Sequence, residues 1–327
     1  LEIANNNLTD CDAHGIHISN CSVDVNDLNI SGCGSNGIYL NASGSNFTNC
    51  HINNNGGWAA RLDNVTLRDY ANNSGSGNGF DVFRLYGTVD QDITLSASQT
   101  GFPFLIAGSF TVNDEITLTI PQGEIIKIDN ANISVYGSLL ADGSYIEPII
   151  FTSWKDDEYG GDWNRDGTIS SPAPGDWYTI SLLGNGEYDG VGEFDHCVVR
   201  YGGKNYSGEL TSVYYYGNTN GFFKYSTIEY SLNSALVAAS SEVKVRSSTF
   251  NENLSYGMSV TGTTHPDIGS YDPNNGGFNH FINNDGGEFQ LYYYGTEPLI
   301  AFYNDWGYYT DAEIDNHVYD DDETGAA

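Results

Sequence analysis

Apolar side chains near the start of the chain recur with a constant step of 22 residues. Leu8-Thr9-Asp10-Cys11 leads to Gly15-Ile16-His17-Ile18, Ile30-Ser31-Gly32-Cys33 to Gly37-Ile38-Tyr39-Leu40, and Ile52-Asn53-Asn54-Asn55 to Ala59-Ala60-Arg61-Leu62. Inside each stretch the alternation has a period of two, which belongs to strands and not helices. A repeat of this length marks a solenoid, each coil burying its apolar side on its neighbours. The same step links Ile228 to Phe250, Leu236 to Met258, Thr111 to Ile133 and Leu118 to Leu140. Asn, Gly, Ser and Asp separate the short strands, and these residues tolerate left-handed or tight-turn backbone. The pattern predicts an all-β parallel β-helix of ~22-residue coils, whose strands hydrogen-bond along the axis and whose apolar side chains stack inside.

Composition agrees: 39 Gly and 24 Tyr against a single Met give a chain poor in helix formers. No apolar run reaches transmembrane length, and the start does not read as a signal peptide. Leu1 falls almost directly into a coil, as in a processed chain or a piece of a longer one, and Tyr319-Asp320-Asp321-Asp322-Glu323-Thr324-Gly325 reads as a solvated acidic tail. With 11 Lys plus Arg against 43 Asp plus Glu, the net charge is -32. Nucleic acid is excluded as a partner, because phosphate binding needs basic clusters. Membrane insertion and anionic membrane surfaces are disfavoured, and polyanionic polysaccharides would be repelled unless calcium bridged them.

Five cysteines do not make a disulfide framework. Cys11 and Cys33 sit one coil apart, a spacing that permits a bridge without requiring one. Buried small hydrophobes are the default reading. Ten Asn-X-Ser/Thr sequons occur, seven of them at Asn7, Asn20, Asn29, Asn41, Asn46, Asn64 and Asn72. They fit a glycosylated surface protein, but a β-helix rich in Asn, Ser and Thr at its turns makes sequons by accident.

The repeat is interrupted near residues 86–105, which divides the chain into regular coils over 1–85 and a second β-helical segment over 86–327. After the interruption come Gly108-Ser109-Phe110-Thr111-Val112, Leu118-Thr119-Ile120-Pro121-Gln122-Gly123, Val135-Tyr136-Gly137-Ser138-Leu139-Leu140-Ala141-Asp142-Gly143 and Pro148-Ile149-Ile150-Phe151-Thr152-Ser153. Near the end stands Asn304-Asp305-Trp306-Gly307. These resemble the opening and last coils of secreted right-handed parallel β-helix repeat proteins, with the pectate-lyase-like fold, over about residues 105–320. The resemblance implies a right-handed coil and export to the cell surface or beyond. That group holds lyases, epimerases, adhesins and surface proteins, so it does not fix an activity.

The most distinctive local chemistry is a loop near residues 156–176. Asp162, Asn164 and Asp166 alternate and Gly167 follows, the opening of an EF-hand-type calcium loop. Thr168 offers a carbonyl. The twelfth position is Ala173 rather than a bidentate Glu, so Asp156, Asp157 or Asp176 would have to complete the shell. A structural Ca²⁺ is expected. Arg200 and Lys204 are the alternative catalytic candidates, as bases of a polysaccharide lyase. Coil alignment instead pairs Arg200 with Glu229 and Asp195 with Lys224 and then Arg246, as ordinary cross-strand charge pairs. His14 and His17 are expected on opposite or offset faces, unsuited to sharing a metal, and His51, His265, His280 and His317 are isolated.

Two tyrosine triplets, Tyr214-Tyr215-Tyr216 and Tyr292-Tyr293-Tyr294, each follow a Gly-Glu-apolar triad. Alternation puts at least one ring of each outside. Tyr214, Tyr216, Tyr292, Tyr294 and Trp306, with Tyr308 and Tyr309 nearby, are candidates for stacking on sugars, although Tyr also suits any half-buried strand position. The expected function is a non-catalytic extracellular or cell-surface protein that binds polysaccharide or other surface proteins. Self-association along the solenoid axis is a further mode, and a calcium-dependent polysaccharide lyase or glycoside hydrolase is the alternative.

Overall fold

The computed structural model describes residues 2–263, 266–295, 298–307 and 310–319. The acidic stretch from Asp320 onward, His265, Tyr308 and Tyr309 lie outside them. The chain winds as an all-β, right-handed parallel β-helix. Each early coil has three short strands, such as Asp24–Asn26, Asn29–Ser31 and Ile38–Asn41. All pair in parallel with the coils before and after, in the register Ile16↔Ile38↔Ala60 and Leu8↔Ile30↔Ile52.

Corners explain the wealth of Asn and Asp. Asn5, Asp27, Asn49 and Asn72 take positive φ, as do Asp10, Gly32, Asn54 and Gly77, and Asn20, Ala42 and Asn64. The three series fall close to one coil apart, so every turn of the solenoid bends at left-handed residues. Asn and Asp tolerate that region because their short polar side chains bond locally. Sequon residues Asn20, Asn64 and Asn72 are thus corner residues, and Asn29 Nδ2 donates to Asn7 Oδ1 across the coils at 2.8 Å.

The division expected at residue 85 does not break the ladder. Leu85 lies within the strand Phe80–Val89, opposite Leu62 on one side and Ile106 on the other. The coil changes cross-section here instead. The strand Phe104–Val112 forks: Phe104–Ile106 pairs with Ile126–Ile128, and Ser109–Val112 with Asn132–Val135. Meanwhile the ladder of Asn7–Thr9, Asn29–Ser31 and His51–Asn53 ends in an isolated bridge to Ser74. In the following coil a short helix, Ala97–Thr100, takes that side, with Asn72 N donating to Gln99 O at 2.6 Å. Register also shifts. Thr111 opposes Ser134 and Leu118 opposes Leu139, each one residue from the partner the 22-residue step gives, whereas Ile228↔Phe250 and Leu236↔Met258 keep that step.

The core is stacked aromatic and aliphatic columns. Phe47, Tyr70, Phe83, Phe102 and Phe104 pack through the transition. Phe194, Phe223, Phe250, Phe281 and Trp306 form a second column with ring centroids 4.5–6.1 Å apart. Inside the corners, buried amides pair in line: Asn55 with Asn78, and Asn253 with Asn284 and then Gln290. These bonds satisfy polar groups that burial would otherwise penalise.

Candidate functional site

Parallel pairing brings the two tyrosine triplets, far apart in sequence, onto the same columns. Tyr214 is opposite Val237, Val237 opposite Ser259, and Ser259 opposite Tyr292. Two positions along each strand, Tyr216, Ala239, Thr261 and Tyr294 follow in the same order. Two small residues therefore separate two aromatic shelves in both columns. The central Tyr215 points inward, fully buried, and its hydroxyl donates to Gly192 O at 2.9 Å.

Between the shelves lies a trough of about 280 Å³. Tyr214, Val237, Ser259 and Tyr292 line its length, with Tyr256, Leu210 and Glu209 at its sides. Tyr214 and Tyr216 stack on each other at 5.6 Å, while Tyr292 stacks on Tyr319 and meets Tyr256 at a tilt, both at 5.1 Å. Tyr216 and Tyr294 are 48% and 61% exposed. Burial, then the neighbouring Glu209 charge, pushes the Tyr214 hydroxyl up to about 12. Glu209 is also raised by burial, opposed by the Ser181 hydroxyl that donates to it at 2.6 Å. Sequence reasoning found the tyrosines but missed Glu209, Tyr256 and the Val237–Ser259 floor; only the resemblance between the triplets hinted at the pairing.

Trp306 does not join this face. It is 8% exposed and stacks on Phe281 at 4.5 Å at the end of the core column. Its expected place among sugar-stacking residues is corrected to a core role, because its ring continues the inward column of Phe194, Phe223, Phe250 and Phe281.

Arg200 and Lys204 do not form a site together. Arg200 is 4% exposed, with Nη1 2.7 Å from Glu158 and 3.6 Å from Asp156, and Nε 3.0 Å from Glu229. The Glu229 contact is an ion pair rather than an aligned hydrogen bond. Tyr159, Tyr201 and Tyr230 surround the guanidinium. Burial pulls its pKa down, but the Glu158 hydrogen bond and the charges of Asp156 and Glu229 outweigh burial and hold it above the ordinary value. A cation so held cannot accept a proton, which removes it as a base. Lys204 stands over the Tyr178 ring at 5.0 Å and donates to Asn130 Oδ1.

The acidic loop after Ser153 is a strap over the outer face of the sheet. Trp154 and Trp163 pack with Trp58 and Phe80 on a small external apolar cluster around Val82, Leu105 and Ala107. Arg165 pairs with Asp81 at 2.9 Å, tying the strap to an earlier coil. Beneath it Lys127 is 0% exposed, donates to Gly161 O at 2.7 Å and faces the Trp163 ring at 4.7 Å. Burial lowers the Lys127 ammonium to about 8 despite the charges of Asp157, Asp156 and Asp162.

Asp162 accepts from Asp166 N and Gly167 N, and Asn164 Nδ2 donates to Asp166, so the three expected metal ligands do come together. Oδ1 of Asp157 and Oδ1 of Asp166 are buried without a hydrogen-bond partner. Asp176 is engaged elsewhere, accepting from Lys155 and Ser153, and Thr168 is exposed. Among the described residues no group of three or more His, Cys, Asp and Glu side chains is placed to hold a metal ion. His14 and His17 do not take opposite faces: their rings lie 5.6 Å apart and both meet Tyr39. The five cysteines carry free thiols, with Cys33, Cys50 and Cys197 buried.

Residues 1–117 match the family model described as the right handed beta helix region. No curated protein and no solved structure matches the chain. The match covers the coils with the fixed step, the interruption after them and the first of the later motifs, residues 108–112; the other motifs that carry the resemblance lie beyond it. Past residue 117 the β-helix rests on its own parallel pairing. Among the described residues no helix is long and apolar enough to cross a membrane.

Proposed function

We propose that this β-helix is an extracellular or cell-surface protein that binds polysaccharide without cleaving it, in the trough between Tyr214 and Tyr292. The observation that carries this reading is the recurrence of aromatic shelves in two adjacent columns with small residues between them. Aromatic faces are broad apolar platforms with a polar tip, suited to one face of a sugar ring and its hydroxyls. The trough lining contains one carboxylate among the described residues, Glu209, whereas glycoside hydrolysis uses two. Affinity electrophoresis in gels cast with different polysaccharides tests it. Wild type should be retarded by at least one, and Tyr214→Ala with Tyr292→Ala should abolish the retardation. Reducing ends or unsaturated sugars released from any of them would replace binding by turnover.

Calcium belongs to the same proposal as a brace for the strap: the ion would draw Asp157, Asp162, Asn164 and Asp166, which do not stand as a formed metal site, together around it. The two buried, unpartnered carboxylate oxygens support it. Calcium should then raise the melting temperature of chelator-treated protein and not that of Asp166→Ala. Equal shifts in both proteins would remove the metal from the strap.

A further inference from the structure

We propose that the trough takes an uncharged, linear glycan lying along the helix axis and long enough to stack on both tyrosine shelves. This rests on reading the trough as a glycan site and adds the ligand's charge, direction and length.

Direction follows from the columns. Strands run around the coil, so successive register partners run along the axis, and Tyr214, Val237, Ser259 and Tyr292 are successive partners. The long dimension of the trough is therefore axial. Length follows from the rung spacing. Three rungs at the usual strand separation put the shelves about 14 Å apart. One sugar ring reaches one shelf, and an extended chain reaches both. Between them Val237 and Ala239 offer apolar contact, and Ser259 and Thr261 offer hydroxyls.

Charge follows from the lining. The trough is bordered by Glu209, and no Lys or Arg is among its described lining residues. The whole chain carries a net charge of -32. A uronate would enter against this field and give up water with no counter-charge to replace it. A neutral chain gives up only hydroxyl hydration, which Ser259 and Thr261 can restore.

Calorimetric titration with chelator present tests all three points. The probes are neutral cello-, xylo- and manno-oligosaccharides of graded length, and oligogalacturonides matched to them. At least one neutral series should bind, tightening with length and levelling once both shelves are covered. Oligogalacturonides should not bind at low salt. Tyr214→Ala and Tyr292→Ala should each weaken the long oligomers about ten-fold, while Tyr214→Phe, which keeps the ring, should not. Tyrosine-dependent binding of oligogalacturonides as tight as that of the neutral series would overturn the charge assignment and leave the glycan site standing. Equal affinity for short and long oligomers would overturn the axial span. If no glycan binds in a tyrosine-dependent way, the site reading falls and this inference falls with it.

Discussion

Carboxylates from Asp156, Glu158 and Glu229 converge on the guanidinium of Arg200. Glu158 is largely exposed and its pair contributes little. Asp156, however, is 2% exposed, and without the arginine it would be a buried charge stripped of its ion pair. Arg200→Met is expected to lower stability by about 3–5 kcal/mol, read as a fall in the urea midpoint. An unchanged midpoint would return Arg200 to the list of functional residues. Trp306 makes the complementary case. Trp306→Ala removes the end of a stacked column and should cost about 3–5 kcal/mol, leaving glycan retardation of the folded protein intact. Loss of retardation with full stability would put the ring back on the surface.

At the scale of the element, the strap from Trp154 to Asp176 covers a buried charge. Lys127 lies under it with a folded-state pKa near 8, below its ordinary 10.5. The folded state thus favours the neutral amine. Below about pH 8 both states carry the proton, and the lysine's burial subtracts stability. As pH rises from about 8 to 10.5 the unfolded chain keeps a proton that the folded chain has lost, so this penalty is progressively relieved. The urea midpoint of wild type should therefore rise relative to Lys127→Met across that window. Parallel pH profiles would show that the ammonium is solvated and that the strap does not cover it.

On the whole molecule, a solenoid's stability is a sum over coils and the interfaces between them. The coils on either side differ most at the transition where one ladder forks. Phe83 sits there, fully buried, in contact with Phe47, Tyr70, Phe102 and Phe104. Phe83→Ala should lose about 3–5 kcal/mol and split urea unfolding into two transitions, one for each side of the fork, when followed by tryptophan fluorescence and far-ultraviolet dichroism together. A single shifted transition in both signals would mean that the fork couples the coils through backbone pairing alone.

Local pattern was enough to specify the coil and its regular register. Alternation around Ile16, Ile38 and Ala60 names the inward face, and Asn or Asp at each corner names the turns, because both signals are local and recur with every coil. It also paired Arg200 with Glu229 and Lys224 with Asp195, since adjacent rungs are one coil apart. The tertiary structure alone decided the rest. Coils of unequal length slip the register at Thr111 and Leu118, so a fixed step cannot carry an alignment through the fork. Lys127 met Gly161, and Arg165 met Asp81, because the strap folds back over the sheet, a contact with no periodic signature. The tyrosine shelves came into line only once three unequal coils had been stacked, for a side chain's face is set by the strand and its neighbours by the winding.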